Sequence, residues 1–333
     1  MAIWAWTVRR TTGAPTASSP TRWRCSPGWM GSIAPASMPS RARQRPRDRP
    51  RARPAGLMSP TDLGAARAEW RFPNRATPPG SAAYYSIRLA PFASRDDLAA
   101  LFGWRGEVRR ILAEVRDPGV ARLKLDWWRD ELQRTLAQVP RHPLSQVLAP
   151  VIVSHQLPAD PFLDMAGQVE ATLRAQHSPD EPAWVAAAEA DLGALFELLA
   201  RCQGVVAAPA LTAARRCGGW CARVRWLRDG GLLLRRGHPV LPLSRLQAAG
   251  LSAAALTDPA GRHQLPALLV PLAAVLAAGR PAAADLAGLP RMLHVQVRIH
   301  VGLLEELRRS RLEVVDQRIG LTPLHKLWLA WRG

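Results

Sequence analysis

Lysine is almost missing from this 333-residue chain: Lys124 and Lys326 are the only two among 45 basic residues. An arginine bias of that kind follows from GC-rich coding. Cysteine is also scarce, at four residues, which is too few for a disulfide framework at this length. Cys25 stands apart, whereas Cys202, Cys217 and Cys221 lie in apolar text and are expected as buried thiols in a reducing, cytoplasmic compartment. No hydrophobic run is long enough to cross a bilayer. The longest, "LPALLVPLAAVLAAG" (265–279), carries two prolines and is expected as a buried core helix. The first twenty residues lack the apolar core of a secretory signal. No stretch alternates with period two, and neither heptads nor a fixed internal repeat appear, so sheets, coiled coils and solenoids are not expected. The histidines, among them His142, His155, His238, His263 and His294, are scattered without an HxxxH or Ser/His/Asp pattern.

Acids are few as well, 26 against 45 bases, for a formal net charge of +19. Residues 1–57 hold eleven arginines and one acid, Asp48, so more than half of the excess lies there. The stretch "RARQRPRDRPRARP" is too rich in Pro and Arg to bury anything. Residues 1–57 are therefore expected as a disordered tail rather than a nucleic-acid-binding arm, and no nucleic-acid partner is expected. Arg- and Ser-rich text of this kind also resembles a transit peptide, and an over-extended start would make Met58 the first residue. Residues 58–81 read as a linker and 82–333 as one helical domain.

The domain reads as all-α. In "SRDDLAALFGWRGEVRRILAEV" Leu98, Leu101, Val108, Ile111 and Leu112 share a stripe, with Ser94 expected as N-cap and Asp97 in the capping-box position. In "DPGVARLKLDWWRDELQRTLAQV" Asp117 and Pro118 start a helix whose apolar stripe is expected to run Val120, Leu123, Trp127, Leu132, Leu136. Trp127 and Trp128 are expected as packing residues with one ring partly exposed. Further helices are expected over "HPLSQVLAPVIVSHQL", "DPFLDMAGQVEATLRAQ", "PAWVAAAEADLGALFELLARCQGVV", 210–229, 243–256, 265–278 and 291–317, with 275–290 as the weakest internal connection.

Five blocks in order, "AAYYSIRLAP", "DPGVARLKLDWWRDEL", "HPLSQVLAP", "LPADPFLDMAGQVE" and "LRDGGLLLRRGHPVLPLSRLQAAGL", resemble the squalene/phytoene synthase family. The likeness is followable to "LTPLHKLWLAWRG". It implies an isoprenoid synthase fold, a single helical domain around a central cavity, and a head-to-head condensation of two prenyl diphosphates. That reaction uses paired carboxylates on facing helices, which hold Mg²⁺ ions while diphosphate leaves.

At the positions the resemblance assigns to the first aspartate cluster, "GWRGEVRRILAEV" keeps Glu107 but places Arg109, Arg110 and Ala113. At the second, Asp229 is kept and Leu232 and Leu233 follow, with Ala222 and Arg225 upstream. Glu170 remains, but Thr172 stands where another aspartate is expected. Metal candidates are thus Asp229, Glu170 and Glu107, with Mg²⁺ as the ion of an active enzyme. Candidate ligand-binding residues are Arg228, Arg235, Arg236, Arg109 and Arg110, which can grip diphosphate directly, and Tyr84 and Tyr85 near the cavity entrance.

The expected function is a catalytically degenerate family protein that binds a prenyl or lipid chain or assists assembly. The alternative is an active prenyltransferase in squalene, phytoene or hopanoid-precursor synthesis. The degenerate motifs and the C-terminal text are similar to the complex I assembly factor branch of the family. Expected partners are therefore a prenyl diphosphate or lipid ligand and a respiratory-complex or isoprenoid-pathway protein. No transmembrane segment is expected, and peripheral contact with the inner membrane is.

Overall fold

The computed structural model describes residues 60–115 and 117–332; the tail expected over 1–57 lies outside them. Helices account for all regular structure among the described residues. In chain order they are α1 (Pro60–Trp70), α2 (Ala82–Ile87), α3 (Arg95–Glu114), α4 (Pro118–Leu136), α5 (Pro143–Ser154), α6 (Asp160–Leu173), α7 (Glu181–Ala188) and α8 (Ala194–Cys202). They continue as α9 (Ala208–Arg235), α10 (Leu243–Ala248), α11 (Pro259–Arg262), α12 (Leu265–Ala278), α13 (Ala283–Leu286), α14 (Arg291–Arg309) and α15 (Pro323–Trp331).

The stripe on α3 is buried as its spacing implies, and Trp104 from the same helix is fully enclosed. Its ring meets Trp128 of α4 and Phe162 of α6 edge to face, at 5.4 and 5.7 Å between centroids. Helix α4 starts at Asp117, whose side chain accepts from the Val120 amide, with Pro118 in the first turn. The face it buries differs from the expected one. Ala121, Leu125, Trp128 and Leu132 are inside, while Val120, Leu123 and Trp127 are exposed. Both sets recur with helical period, and packing selects the one that meets Trp104.

Helix α9 is the central rod, longer at both ends than the expected 210–229. It contacts α7, α8, α12, α13 and α14. Close approach needs glycine: a Cβ on Gly218 would stand 2.6 Å from the carbonyl oxygen of Leu192, and one on Gly231 would collide with the carbonyl of Val314. Trp220 Nε1 donates to the Leu276 carbonyl at 3.0 Å, tying α9 to α12. Helix α12 buries one stripe, Leu265, Leu269, Leu272, Ala273 and Leu276, with Val270 and Val275 exposed, so it is a covering helix rather than a fully buried one.

Two further expectations change. The run from Glu181 to Cys202 is not one straight helix, because a π-helical turn at Glu189–Gly193 separates α7 from α8. Helix α14 ends at Arg309 rather than 317, where Arg311 and Leu312 turn left-handed at φ 55° and 60°. Ser94 closes a short 3₁₀ turn and makes no side-chain cap to α3. Asp97 therefore caps nothing; it faces His155 instead, with 3.0 Å between carboxylate and ring nitrogen.

Part of the expected linker is core structure. Trp70, at the end of α1, is 1% exposed and lies against Gly103 of α3. Asn74 is buried and fixes the following turn: its amide donates to the carbonyls of Trp70 and Ala99 at 3.0 and 3.1 Å. A buried amide with satisfied partners holds a chain segment as firmly as apolar packing does. Replacing Trp70 with Ala should cost ~3–5 kcal/mol of unfolding free energy, measured by urea denaturation; a negligible change would mean that α1 is a dispensable linker.

Candidate functional site: a cationic cavity

A cavity of about 640 Å³ opens between α2, α3, α9, α14 and the segment leading into α15. Helix α3 contributes Arg105 and Arg109, at the i, i+4 spacing that puts side chains on one face, and the adjoining Arg110. Helix α9 contributes Arg225 and Arg228, one turn apart. Arg318 and Lys326 come from the C-terminal region. The lining also has an apolar part, with Phe102, Ile299, Leu303, Ile319 and Leu321. No carboxylate is among the lining residues.

Counter-charge stands behind the wall. Asp191, 1% exposed, sits on the π-helical turn. It accepts a bidentate pair from Arg105 at 2.8 and 2.7 Å, and a third bond from Arg109 at 2.9 Å. Burial opposes its ionisation, but Arg105 and Arg109 outweigh it and draw the carboxyl down to about 2. Asp229 repeats the arrangement. Arg228 reaches it at 2.9 and 2.6 Å and Arg318 at 3.0 Å. Here too burial is overridden, first by Arg228, and the carboxyl falls to about 2.

Each of these acids therefore shares its single charge between two guanidiniums, leaving each cluster positive. Arg225 stands between them with no hydrogen-bond acceptor among the described residues. Burial first, then repulsion from Arg105 and Arg228, pull it down to about 9, so it is still a cation at neutral pH. Lys326 donates to the Gly80 carbonyl at 2.9 Å. Its ammonium is also shifted down, by burial and then by Arg228 and Arg318. His300 is buried, and burial followed by Arg225 lowers it to about 3, so the ring is neutral. Its Nδ1 lies 2.7 Å from the Gln296 carbonyl, which makes that nitrogen the protonated one.

The sequence-based candidates divide. Arg109, Arg110 and Arg228 line the cavity. Arg235 and Arg236 are exposed where α9 ends and do not line it, and Arg235 donates to the Val315 carbonyl. Tyr84 stacks on Phe72 at 5.4 Å, in a separate surface depression, and takes a bond from Arg88 on its hydroxyl. Tyr85 packs edge to face on Tyr84 at the border of the core.

The metal candidates are each occupied by arginine. Glu107 meets Arg75 at 3.0 Å and Arg110 at 3.7 Å. Glu170 is clamped between Arg129 and Arg174, and the bond from Arg129 first among several causes lowers its carboxyl below the usual range. Asp229 is held by Arg228 and Arg318. Glu107, Glu170 and Asp229 do not form a ligand cluster; among the described residues the one trio of ligand atoms gathered within 4.8 Å is Asp97, His155 and Cys202. Hard, octahedral Mg²⁺ requires several oxygen donors facing one point. This wall presents guanidiniums there instead, so the residues present do not fit a magnesium cluster.

Arg105, Arg225, Arg318, Lys326 and Asp191 were not among the sequence candidates. The spacing Arg105–Arg109 and Arg225–Arg228 was a usable signal for the first two. Nothing local marks Asp191, an acid inside an alanine-rich run.

The all-helical architecture of the described residues, with this cavity between its helices, is the isoprenoid synthase fold. The chain matches the squalene/phytoene synthase family across residues 77–325 and belongs to that family. Its structure is similar to a dehydrosqualene synthase solved in complex with a ligand, with a TM-score of 0.65 and 14% identity over 82% of this chain and 95% of that one. It is also similar to squalene synthase HpnC from Alicyclobacillus acidocaldarius, with a TM-score of 0.59 and 19% identity over 75% and 94%. At such identities the likeness is one of fold. No curated protein matches the chain in sequence.

The acid limb of stability should report the two aspartates. A carboxyl whose folded value lies below its ordinary 3.8 stabilises the fold above that pH and loses this contribution as pH falls toward about 2. Chemical denaturation between pH 5 and pH 2 (a range set by roughly the ordinary and lowered carboxyl values) should show falling stability. Asp191→Asn should lower stability at neutral pH by ~3–5 kcal/mol, because Arg105 and Arg109 lose their buried partner, and should flatten the acid limb. An unaltered limb in that variant would refute the assignment.

Proposed function

We propose that the chain binds a prenyl diphosphate, or a lipid with a comparable anionic head, without the metal-assisted condensation of active relatives. The observation that carries this reading is the cavity wall: seven cationic side chains, no lining carboxylate, and apolar residues beside them. Arginine forks pair with phosphate oxygens bidentately. The head would sit against Arg225, Arg109 and Arg228, relieving the mutual repulsion that pulls Arg225 down. The chain would lie along Phe102, Ile299 and Leu303, where apolar contact and exclusion of water favour it.

Charge reversal at Arg109 and Arg110 changes what the site can do. Diphosphate leaves an allylic carbon when bound cations absorb its developing charge and the carbocation is left alone. Arginines can hold that head, but a ring of cations within the cavity also disfavours a cation forming beside them. A binding role uses the first effect and is untouched by the second.

Calorimetric titration with farnesyl diphosphate should show binding that persists in EDTA and weakens as salt is raised. Arg225→Ala should weaken it roughly ten- to hundredfold, the range for a bond to a charged group. No pyrophosphate should appear with Mg²⁺ present. Binding that requires Mg²⁺, or steady pyrophosphate release abolished by Asp229→Ala, would overturn the reading in favour of an active synthase.

A second placement has its own support. No described helix is long and apolar enough to cross a membrane. Yet α15 exposes Leu324, Leu327, Trp328 and Trp331, with Trp331 79% accessible. Arg332 stacks on Trp328 at 4.5 Å, and the helix carries no acid. Tryptophan beside cations suits the interface of an anionic bilayer, and Lys326 of the same helix lines the cavity. Wild-type protein should co-sediment with phosphatidylglycerol vesicles, and Trp328→Ala with Trp331→Ala should release it. Protein left in the supernatant would exclude this placement.

A further inference from the structure

Away from the cationic cavity, three helices bring together a carboxylate, an imidazole and a thiol with no arginine among them. Asp97 comes from the first turn of α3, His155 follows the last residue of α5, and Cys202 is the last residue of α8. One ligand atom from each lies within 4.8 Å of the other two. We propose that Asp97, His155 and Cys202 form a three-ligand Zn²⁺ site, with the fourth coordination position open toward the neighbouring cavity.

Four observations converge on a cation. First, electrostatics are unbalanced here. The acids around the main cavity are each held by arginine, whereas among the described residues the hydrogen-bond and ion-pair partner of Asp97 is His155 alone. Second, α5 and α8 both point their C-terminal ends at the trio. Each helix end carries partial negative charge and favours a positive group within the last turn.

Third, the donor set has a definite preference. Nitrogen, sulfur and a single oxygen suit a borderline ion such as Zn²⁺, and are a poor match for hard Mg²⁺ or Ca²⁺. Tetrahedral Zn²⁺ with bonds of about 2.0 Å to N and O and about 2.3 Å to S sets ligand separations of roughly 3.3–3.8 Å. Closing a pair from 4.8 Å takes a shift of roughly 1.0–1.5 Å. Cys202 stands two residues before Gly204, whose φ of +85° ends the helix, so the movement falls at a helix terminus.

Fourth, there is access. Asp97 lines a cavity of about 630 Å³ between α1, α3 and α5, together with Arg67, Arg71, Asp96 and Ser154. Arg71 is engaged by Asp96 at 3.4 Å and does not reach the trio's carboxylate.

Without an ion, the thiol is inert. Burial first, and then Asp97, hold it at about 12. On binding, a metal–sulfur bond forms and the thiol proton leaves to solvent. The imidazole binds through a nitrogen lone pair, its one ring proton residing on the other nitrogen. Its hydrogen bond to Asp97 gives way to coordination by both partners. The site does not depend on what fills the cationic cavity.

The test uses the full chain, reduced and stripped with EDTA, with Co²⁺ as the spectroscopic probe. About one equivalent should bind, giving a thiolate-to-cobalt band in the near ultraviolet and intense visible bands of four-coordinate cobalt, both bleached by Zn²⁺. Cys202→Ser should remove the thiolate band, and Cys217→Ser should keep it. His155→Gln, at a half-buried helix end where misfolding is less of a concern, should weaken binding more than tenfold. Circular dichroism of each variant checks that helix content is retained. Absence of a thiolate band in the wild-type chain, or a band that survives Cys202→Ser, overturns the site.

Discussion

Two aspartates, Asp191 buried and Asp229 half-buried, each bonded to two arginines, are the constraint on which the cavity depends. Arginines facing inward from α3 and α9 would repel one another across a low-dielectric interior. Asp191 and Asp229 supply enough negative charge to hold the helices together, but not enough to neutralise the wall. Positioning Asp191 demands the π-helical turn at Glu189–Gly193, which redirects one residue out of the α7–α8 register. That turn packs onto α9 because Gly218 and Gly219 leave room for it, a Cβ on Gly219 meeting Glu189 at 2.5 Å. The glycines of α9 thus serve the electrostatics of the site as well as its packing.

Fold and lining charge rest on partly different residues, and this is why the fold carries no assurance of the family reaction. Helix packing is set by apolar stripes, glycine contacts and caps; Phe102, Ile299 and Leu303 serve both the core and the cavity lining. Arg105, Arg109, Arg225 and Arg228 set the charge the cavity presents, and Asp191 behind the wall offsets part of it.

Much of the architecture was legible because periodicity and punctuation act locally. The α3 stripe and the Asp117 cap both read directly. Helix α4 shows where that reading stops. Val120–Leu123–Trp127 and Ala121–Leu125–Trp128–Leu132 are both apolar series with helical spacing, and only the location of Trp104 decides between them. Asn74 looked like a linker residue because its two carbonyl partners are one turn and 25 residues away. Arg318 and Lys326 reach the cavity from the C-terminal segment, and a contact spanning 89 residues leaves no local trace. The trio of Asp97, His155 and Cys202 was hidden for the same reason: capping statistics assign Asp97 to the helix end, and only tertiary structure shows that it faces His155 instead.

Charge along α3 shows how one helix serves two opposite environments. Asp96 and Asp97 lie in its first turn, and Arg105, Arg109 and Arg110 in its second half. The acids of the first turn accord with the helix dipole, whereas the last turn carries no cation and ends on Glu114. At 1.5 Å per residue, Asp97 and Arg105 are about 12 Å apart along the axis, more than a Debye length at physiological salt. On the proposed roles, the acidic first turn would attract a metal ion and the arginine-rich half a phosphate, with little interference through solvent. Separation along a single rigid rod would keep the two sites apart in one small domain.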